Sequence, residues 1–292
     1  MKNPKLYKYR YFSENIVSRF GLPDGEQISQ WEQVLYDGLI FPAHPESFND
    51  PYDCDFLVDS DFLESHLMRE LLIRQLSSRC TLTQYEKESI MINDDVDKVL
   101  REVFFHHFKV RNKHFLQSMK EDINKAIKSA KSVLQVTCFS EVNDSILMWS
   151  HYAQNHSGFC IEYDFNNWES KKHLKPVKYI KDRHTIRGND LGDKTRNIGT
   201  IIIDETLYKA DVWSYEREWR IIFTNPSLSH PEYNGKTLVF YFKDFITGVY
   251  LGAQAQKKYI QKICEHFSKT SIPVYQMQMR QDKYELVATR LQ

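Results

Sequence analysis

The sequence predicts an α+β protein in which a helical insertion splits a β-rich core. Three observations carry that reading. From Tyr52 to Ser157 the chain has neither glycine nor proline, the residues that punctuate turns. Helix-start signals and four-residue apolar spacing recur inside that stretch. Short runs rich in β-branched and aromatic residues lie before and after it, as expected of one interrupted domain.

The helical signals come in order. Asp61 with Glu64 has the spacing of an N-cap and its reciprocal partner, and Leu63, Leu67 and Leu71 follow every fourth residue. Thr83 with Glu86 repeats the cap. A third helix opens near Asn93 and carries Val96, Leu100, Phe104, Phe108, Arg111 and Phe115, continuing toward Ile123, Ile127 and Ala130. Strands are expected at 6–11, 39–41, 134–139, 158–163, 219–223, 238–242, 249–251 and 284–289. The expected organisation is a core of residues 1–59 and 135–292 with an insertion at 60–134. Residues 166–200, polar and rich in Lys and Arg, read as a loop.

A chain of 292 residues can bury a full core without disulfides or metals. Lys plus Arg and Asp plus Glu are 39 each, so no net field draws the whole molecule to nucleic acid or membrane. Glycine is scarce, and Gly188, Gly192 and Gly199 lack the spacing of a Rossmann or P-loop phosphate cradle. Five cysteines without a C-x-x-C pair read as reduced thiols, and no apolar run spans a membrane, so a cytoplasmic protein is expected. His106 and His107 are adjacent and are not expected to face one ion from a helix, and no other metal-ligand spacing occurs.

Four patches combine aromatic and polar groups. Leu6 to Phe12, as a strand, puts Tyr7, Tyr9 and Tyr11 on one face and Lys8 and Arg10 on the other; an edge strand with one solvated face explains the same residues. Ser47 to Asp53 holds Asn49 and Asp50, which either build a turn or hold a ribose. Cys138 to Phe159 contains Trp149, Ser150, His151 and Tyr152 on a helix that Asp144 would cap, either core aromatics or a platform for a flat cationic ring. Trp213 to Ile222 contains Glu216 and Glu218, two carboxylates about 7 Å apart on one face if the segment is a strand. A solvated face neutralised by Arg220 is the plain explanation; an enclosed pair would hold a proton tightly unless a cation lies near. A thiol–imidazole pair of Cys138 or Cys160 with His151 has no support in spacing.

At Leu6 to Tyr9, Ser47 to Asp53, Cys138 to Glu141, Met148 to Ala153, Gly158 to Tyr163 and Tyr215 to Arg220 the chain resembles a bacterial family described only as a domain of unknown function, met in defence islands and mobile elements. The resemblance spans most of the chain and omits the helical insertion. That family is in turn similar to ADP-ribosyltransferases of the nucleic-acid-modifying toxin type. The resemblance implies a split ADP-ribosyltransferase-like sheet, NAD as donor, Lys8-Tyr9-Arg10 on the first element, Ser150 to Tyr152 near the second and Glu218 on the third. The chain departs from it in having no histidine in the first strand and in its E-x-E, which leaves both Glu216 and Glu218 as candidates.

Cleaving NAD at its nicotinamide bond passes through an oxocarbenium-like sugar that a carboxylate stabilises. Glu218 or Glu216 would hold the ribose hydroxyl and orient the nucleophile. Tyr9, Trp149 or Tyr152 would sandwich nicotinamide, and Lys8 or Arg10 would pair the pyrophosphate. The expectation is a metal-independent NAD-dependent mono-ADP-ribosyltransferase, a toxin or anti-phage effector with an RNA, other nucleic-acid or protein acceptor and a cognate antitoxin. Basic residues at Lys109, Arg111, Lys113, Lys120, Lys125, Lys128 and Lys131, with Phe105, His106, His107, His114 and Phe115 among them, suit single-stranded RNA or a solvated helix face. The alternative is a non-catalytic ligand- or nucleic-acid-binding module of a defence or toxin–antitoxin system.

Overall fold

The computed structural model describes residues 3–19, 26–55, 57–58, 66–109, 121, 125, 131–186, 198–224 and 239–292. Two compact units emerge. The first comprises Met1–Asn49, Leu134–Tyr179 and Lys209–Gln292; the second comprises Asp50–Val133 and Ile180–Tyr208. The sequence reading placed residues 180–208 in the core, whereas in the structure they join the helical unit.

In chain order the strands are β1 (Leu6–Arg10), β2 (Ile16–Ser18), β3 (Gln27–Ser29), β4 (Leu39–Ile40), β5 (Leu57–Val58), β6 (Leu134–Ser140), β7 (Phe159–Tyr163), β8 (Leu174–Pro176), β9 (Lys178–Ile180), β10 (Thr185–Ile186), β11 (Tyr208–Ala210), β12 (Glu218–Thr224), β13 (Phe240–Tyr241), β14 (Ile246–Leu251), β15 (Val274–Met279) and β16 (Leu286–Arg290). The helices are α1 (Gln30–Tyr36), α2 (His66–Ser77), α3 (Gln84–Ile92), α4 (Val96–Phe108), α5 (Ile146–Tyr152), α6 (Ile198–Glu205) and α7 (Lys257–Phe267).

The first unit is built on an eight-stranded sheet in the order β16-β15-β14-β7-β1-β6-β12-β8. Its pairs are antiparallel except β14 with β15. That parallel pair needs a crossover, which α7 supplies. Strand β1 comes from the N-terminal flank and lies between β6 and β7, so both flanks build one sheet and β1 is an interior strand rather than an edge. The segment read as a loop contributes β8 to the same sheet.

Alternation along β1 sorts the chemistry onto two faces. Tyr7 lies opposite Ser140 and Glu162, and Ser140 lies opposite Glu218, so these side chains share a face with Tyr9, Cys138, Cys160 and Arg220. Leu6, Lys8 and Arg10 point to the other face, with Phe159 and Ile161. On that second face Leu6, Phe12, Trp31, Leu35, Phe139, Ile161, Ile221, Ile263 and Phe267 form the larger core, drawing in α1 and α7. On the first face Tyr9, Met148, Trp149, Cys160, Tyr250 and Met277 form a smaller core with α5.

The second unit buries Leu72, Leu76, Leu82, Ile90, Val96, Leu100 and Val103 between α2, α3 and α4. The predicted Thr83 cap is present: its Oγ1 accepts the Glu86 N–H at 3.2 Å, and the Glu86 carboxylate accepts the Thr83 N–H at 2.8 Å. Helix α4 starts with Asp95 as its cap and ends at Phe108, because Lys109 turns left-handed at φ 57°. In the same unit β10 pairs in parallel with β5. The Asp61–Glu64 cap, Leu63, the side chains of Leu67 and Leu71, the continuation through Arg111 to Phe115 and the residues Ile123, Ile127 and Ala130 lie outside what the structure describes. No described helix is long and apolar enough to cross a membrane.

Candidate active site

Glu216 and Glu218 converge, though not as strand neighbours. Glu216 ends a short 3-10 turn (Asp211–Glu216), Arg217 is left-handed at φ 45°, and Glu218 opens β12. This corrects the expectation that both sit on one strand face. The bend is pinned by its surroundings. The Ser140 hydroxyl donates to the Glu216 carbonyl at 2.6 Å, the Tyr179 hydroxyl accepts the Glu218 N–H at 2.8 Å, and Glu141 pairs with Arg217 at 2.5 Å while accepting the Trp219 indole N–H at 2.7 Å.

Between the carboxylates lies Lys209, from β11. Its Nζ is 2.6 Å from Glu216 Oε2 and 3.1 Å from Glu218 Oε2. Arg220 binds Glu218 through Nε at 2.7 Å and a terminal nitrogen at 3.0 Å. Side-chain exposure is 4% for Lys209 and Glu216, 5% for Glu218 and 0% for Arg220. Two anions thus neutralise two cations inside the protein, and the Arg220 guanidinium also lies over the Phe48 ring at 5.6 Å. Burial pushes the Glu218 carboxyl up, but Arg220 and then Lys209 outweigh it and hold the group at about 2. For Glu216 burial wins: its carboxyl is raised, against Lys209 and with help from the Glu218 charge. The plain explanation of Arg220 as a neutralising partner is therefore right about the charge and wrong about the solvent.

Glu216 is the carboxylate that reaches the half-buried Tyr152. Its Oε1 accepts the Tyr152 hydroxyl at 2.6 Å, and that hydroxyl in turn takes the Asn49 amide N–H at 3.4 Å. Around this pair stand three rings: His151 to Trp213 at 6.4 Å, His151 to Tyr215 at 6.3 Å and Trp213 to Tyr215 at 6.0 Å between centroids. His151 is exposed and the other two are half-buried, and Lys209 Nζ lies 5.2 Å from the Trp213 ring centre.

Asn49, His151, Tyr152, Glu216 and Glu218 are thus brought together, and other predicted residues are not. Tyr9 and Trp149 are core side chains, packed edge to face at 5.2 Å, with the Tyr9 hydroxyl on the Val142 carbonyl at 2.7 Å and the Trp149 indole N–H on the Asn143 carbonyl at 2.7 Å. Their rings present no face to a ligand. Ser150 donates to the Ile146 carbonyl at 2.8 Å and meets His156 Nε2 at 3.0 Å. Asp50 is a turn residue, its Oδ1 accepting the Tyr52 N–H at 2.9 Å. Lys8 and Arg10 leave by the opposite face of the sheet from Glu218. Ser145, not Asp144, caps α5, its Oγ accepting the Met148 N–H at 3.3 Å. Burial raises the Cys138 and Cys160 thiols well above their ordinary value, so neither is poised as a thiolate.

The residues that sequence reasoning missed are Lys209 and Tyr179, while Trp213 and Tyr215 lay in the fourth patch without a role of their own. Lys209 carries no local signal, because lysine in a short polar run is ordinarily a surface residue.

Behind α5 the chain takes a strained path. Gln154, Asn155 and His156 are consecutively left-handed, at φ 49°, 52° and 65°. A Cβ on Gly252 would sit 2.0 Å from the His156 carbonyl oxygen, which explains the glycine there.

In the helical unit the adjacent His106 and His107 do converge, contrary to expectation: His106 Nδ1 and His107 Nε2 each lie 2.9 Å from Glu86 Oε1. The turn at Lys109 ends the helix beside them, and the shared carboxylate satisfies both rings. Of the basic stretch, the Lys109 ammonium donates to the His106 carbonyl at 3.0 Å, Lys131 pairs with Asp55 at 2.9 Å and Phe105 is exposed. Arg111, Lys113, His114, Phe115, Lys120 and Lys128 lie outside the described residues.

A family model described as a protein of unknown function (DUF2971) matches residues 148–221, the stretch from α5 to β12 that supplies Tyr152, Lys209, Glu216, Glu218 and Arg220. No curated protein and no solved structure matches the chain.

Proposed function

We propose that the protein is an NAD-dependent mono-ADP-ribosyltransferase, a toxin or anti-phage effector that modifies nucleic acid, RNA first, or protein. One observation carries the reading: a carboxylate bonded to a tyrosine hydroxyl, Glu216 with Tyr152, lies at the edge of an open aromatic group made of His151, Trp213 and Tyr215. Flat rings of this kind suit a cationic nicotinamide, and a carboxylate beside them suits the positive charge that develops on the ribose. NAD supplies the ADP-ribose and the leaving group.

Glu216 is the catalytic candidate, because its raised proton affinity and its contact with the half-buried Tyr152 hydroxyl suit it to accept or return a proton at Oε1. Tyr152 orients that oxygen, and Asn49 orients Tyr152. Glu218 takes a positioning role, anchoring Lys209 and Arg220 beneath it. Lys8, Tyr9, Arg10 and Trp149 drop out of the proposed NAD site.

The mutual neutralisation of Glu216, Glu218, Lys209 and Arg220 favours a second reading, in which the quartet is structural and the aromatic group belongs to a non-catalytic binding module. Incubation of the protein with NAD and total RNA or lysate separates the two. Released nicotinamide, with ADP-ribose on the RNA or protein fraction, is expected of the transferase. NAD that stays intact under these conditions rules the transferase out and leaves the binding module.

A further inference from the structure

The opposite face of the sheet holds a cation that this mechanism does not use. Arg10 of β1 lines a cavity of about 90 Å³ together with Trp31, Val34, Phe41 and Phe159. Arg10 Nε and the Trp31 indole Nε1 are both buried, and among the described residues neither has a hydrogen-bond partner. No described carboxylate pairs with Arg10. Glu32, on the helix that carries Trp31, is occupied by Lys262 at 2.6 Å and by the Ser29 N–H at 3.2 Å, and Glu14 by Lys258 at 3.0 Å and the Tyr259 hydroxyl. Arg10 as a whole is half-buried, but its Nε and the Trp31 N–H are buried donors, and a buried donor left unpaired costs free energy; native proteins rarely leave two beside one cavity without an acceptor.

We propose that this cavity binds a small organic monocarboxylate, its charged end on Arg10 and the Trp31 N–H and its apolar body against Phe41, Phe159 and Val34. The planar guanidinium fork matches a carboxylate, and an indole N–H adds a single further donor. The remaining wall sets Val34, Phe41 and Phe159 beside Tyr11, Ser13 and Gln30, so a short carbon chain or small ring has apolar surface to lie on with polar groups at its margin. Lys8, two residues along the same strand face, is not a full second cation at neutral pH: burial and then the Arg10 charge lower it to about 7. One firm positive charge favours a monoanion over a dianion. The volume admits a molecule of only a handful of heavy atoms. This site lies across the sheet from Glu216 and stands whatever that carboxylate does.

The test is calorimetric titration of the full chain with butyrate, benzoate, inorganic phosphate and the neutral isostere butyramide. Saturable one-to-one binding of butyrate or benzoate is expected, with butyramide and phosphate at least tenfold weaker. Arg10→Met should lose the carboxylate at least tenfold. Because that substitution also alters the sheet, Val34→Phe provides a second arm that keeps Arg10 and fills the cavity, and it should abolish binding while circular dichroism stays that of the parent. Absence of carboxylate binding to the parent chain overturns the proposal, as does tighter binding of phosphate, equal binding of butyramide, or carboxylate binding that survives in both variants.

Discussion

Glu218 and Arg220, two residues apart on β12, share one face of the strand and hold each other through two hydrogen bonds, with 5% and 0% of their side chains exposed. Alternation makes them neighbours and burial makes them dependent on each other. Glu218→Gln keeps the shape but removes the charge that holds Arg220 through two hydrogen bonds and Lys209 through one. Removing one partner of a buried pair costs about 3–5 kcal/mol, so the variant should unfold at clearly lower denaturant. An unchanged urea midpoint would show that the pair is not load-carrying in solution.

Tyr152→Phe separates catalysis from folding. The hydroxyl makes one bond to Glu216 and accepts one from Asn49 at the rim, so its loss should cost only about 1 kcal/mol of stability. If Glu216 acts on the ribose, misorienting its Oε1 should slow nicotinamide release at least about tenfold, a part of the roughly hundred- to ten-thousand-fold that general acid–base catalysis contributes. The measurement is the release rate at saturating NAD beside a thermal melt. A rate within twofold of the parent would remove Tyr152 from the mechanism.

Much of this architecture is legible in the sequence, and the limits are physical. The strands around Leu6, Leu134, Phe159 and Trp219 announce themselves by β-branched and aromatic runs. The cap at Thr83 is readable because capping chemistry is local, whereas α4 opens at an Asp95 cap rather than near Asn93, which instead ends the preceding helix. Strands β8 and β9 were not legible, since their lysine-rich stretch looks like solvent-exposed chain and is fixed by pairing with β12 and other distant partners. Period-two reasoning placed Lys8 and Arg10 opposite Tyr7 and Tyr9 correctly, yet one pocket was assigned to both faces. At Glu216 the same reasoning failed because a single left-handed residue, Arg217, broke the period. Burial of Lys209 depends on two carboxylates arriving from elsewhere, and no local pattern encodes that.

Glu86 makes stability depend on acid. Burial raises its carboxyl, but the bonds from His106, Thr83 and His107 overcome that and bring it from 4.5 to about 2. A lowered carboxylate contributes stability that is complete above its unfolded value and is lost as the pH falls through the folded one. The contribution, on the order of 3 kcal/mol, should therefore be full at about pH 6 and fade between about pH 4.5 and pH 2. Glu86→Gln lacks it throughout. Denaturation of both proteins across that range should show a gap that closes with acid, and a constant gap would mean that the two histidines do not hold the carboxylate.

The turn behind α5 allows a prediction of opposite signs at two nearby positions. Gln154 is exposed and held at φ 49°, a conformation that costs a side-chain-bearing residue about 1 kcal/mol and glycine almost nothing. Gln154→Gly should therefore stabilise the protein by up to that amount, even though glycine ordinarily weakens a chain. Gly252→Ala should do the reverse. Its Cβ would stand 2.0 Å from the His156 carbonyl oxygen, which also accepts the Gln254 N–H at 2.9 Å, so relief requires moving a turn that is already left-handed at three residues. A loss of about 3 kcal/mol or more, or failure to fold, is expected from such a backbone clash. Chemical denaturation of the two single variants checks both signs, and an alanine at 252 without cost would mean that the turn relaxes freely and stores no strain next to the Tyr152 helix.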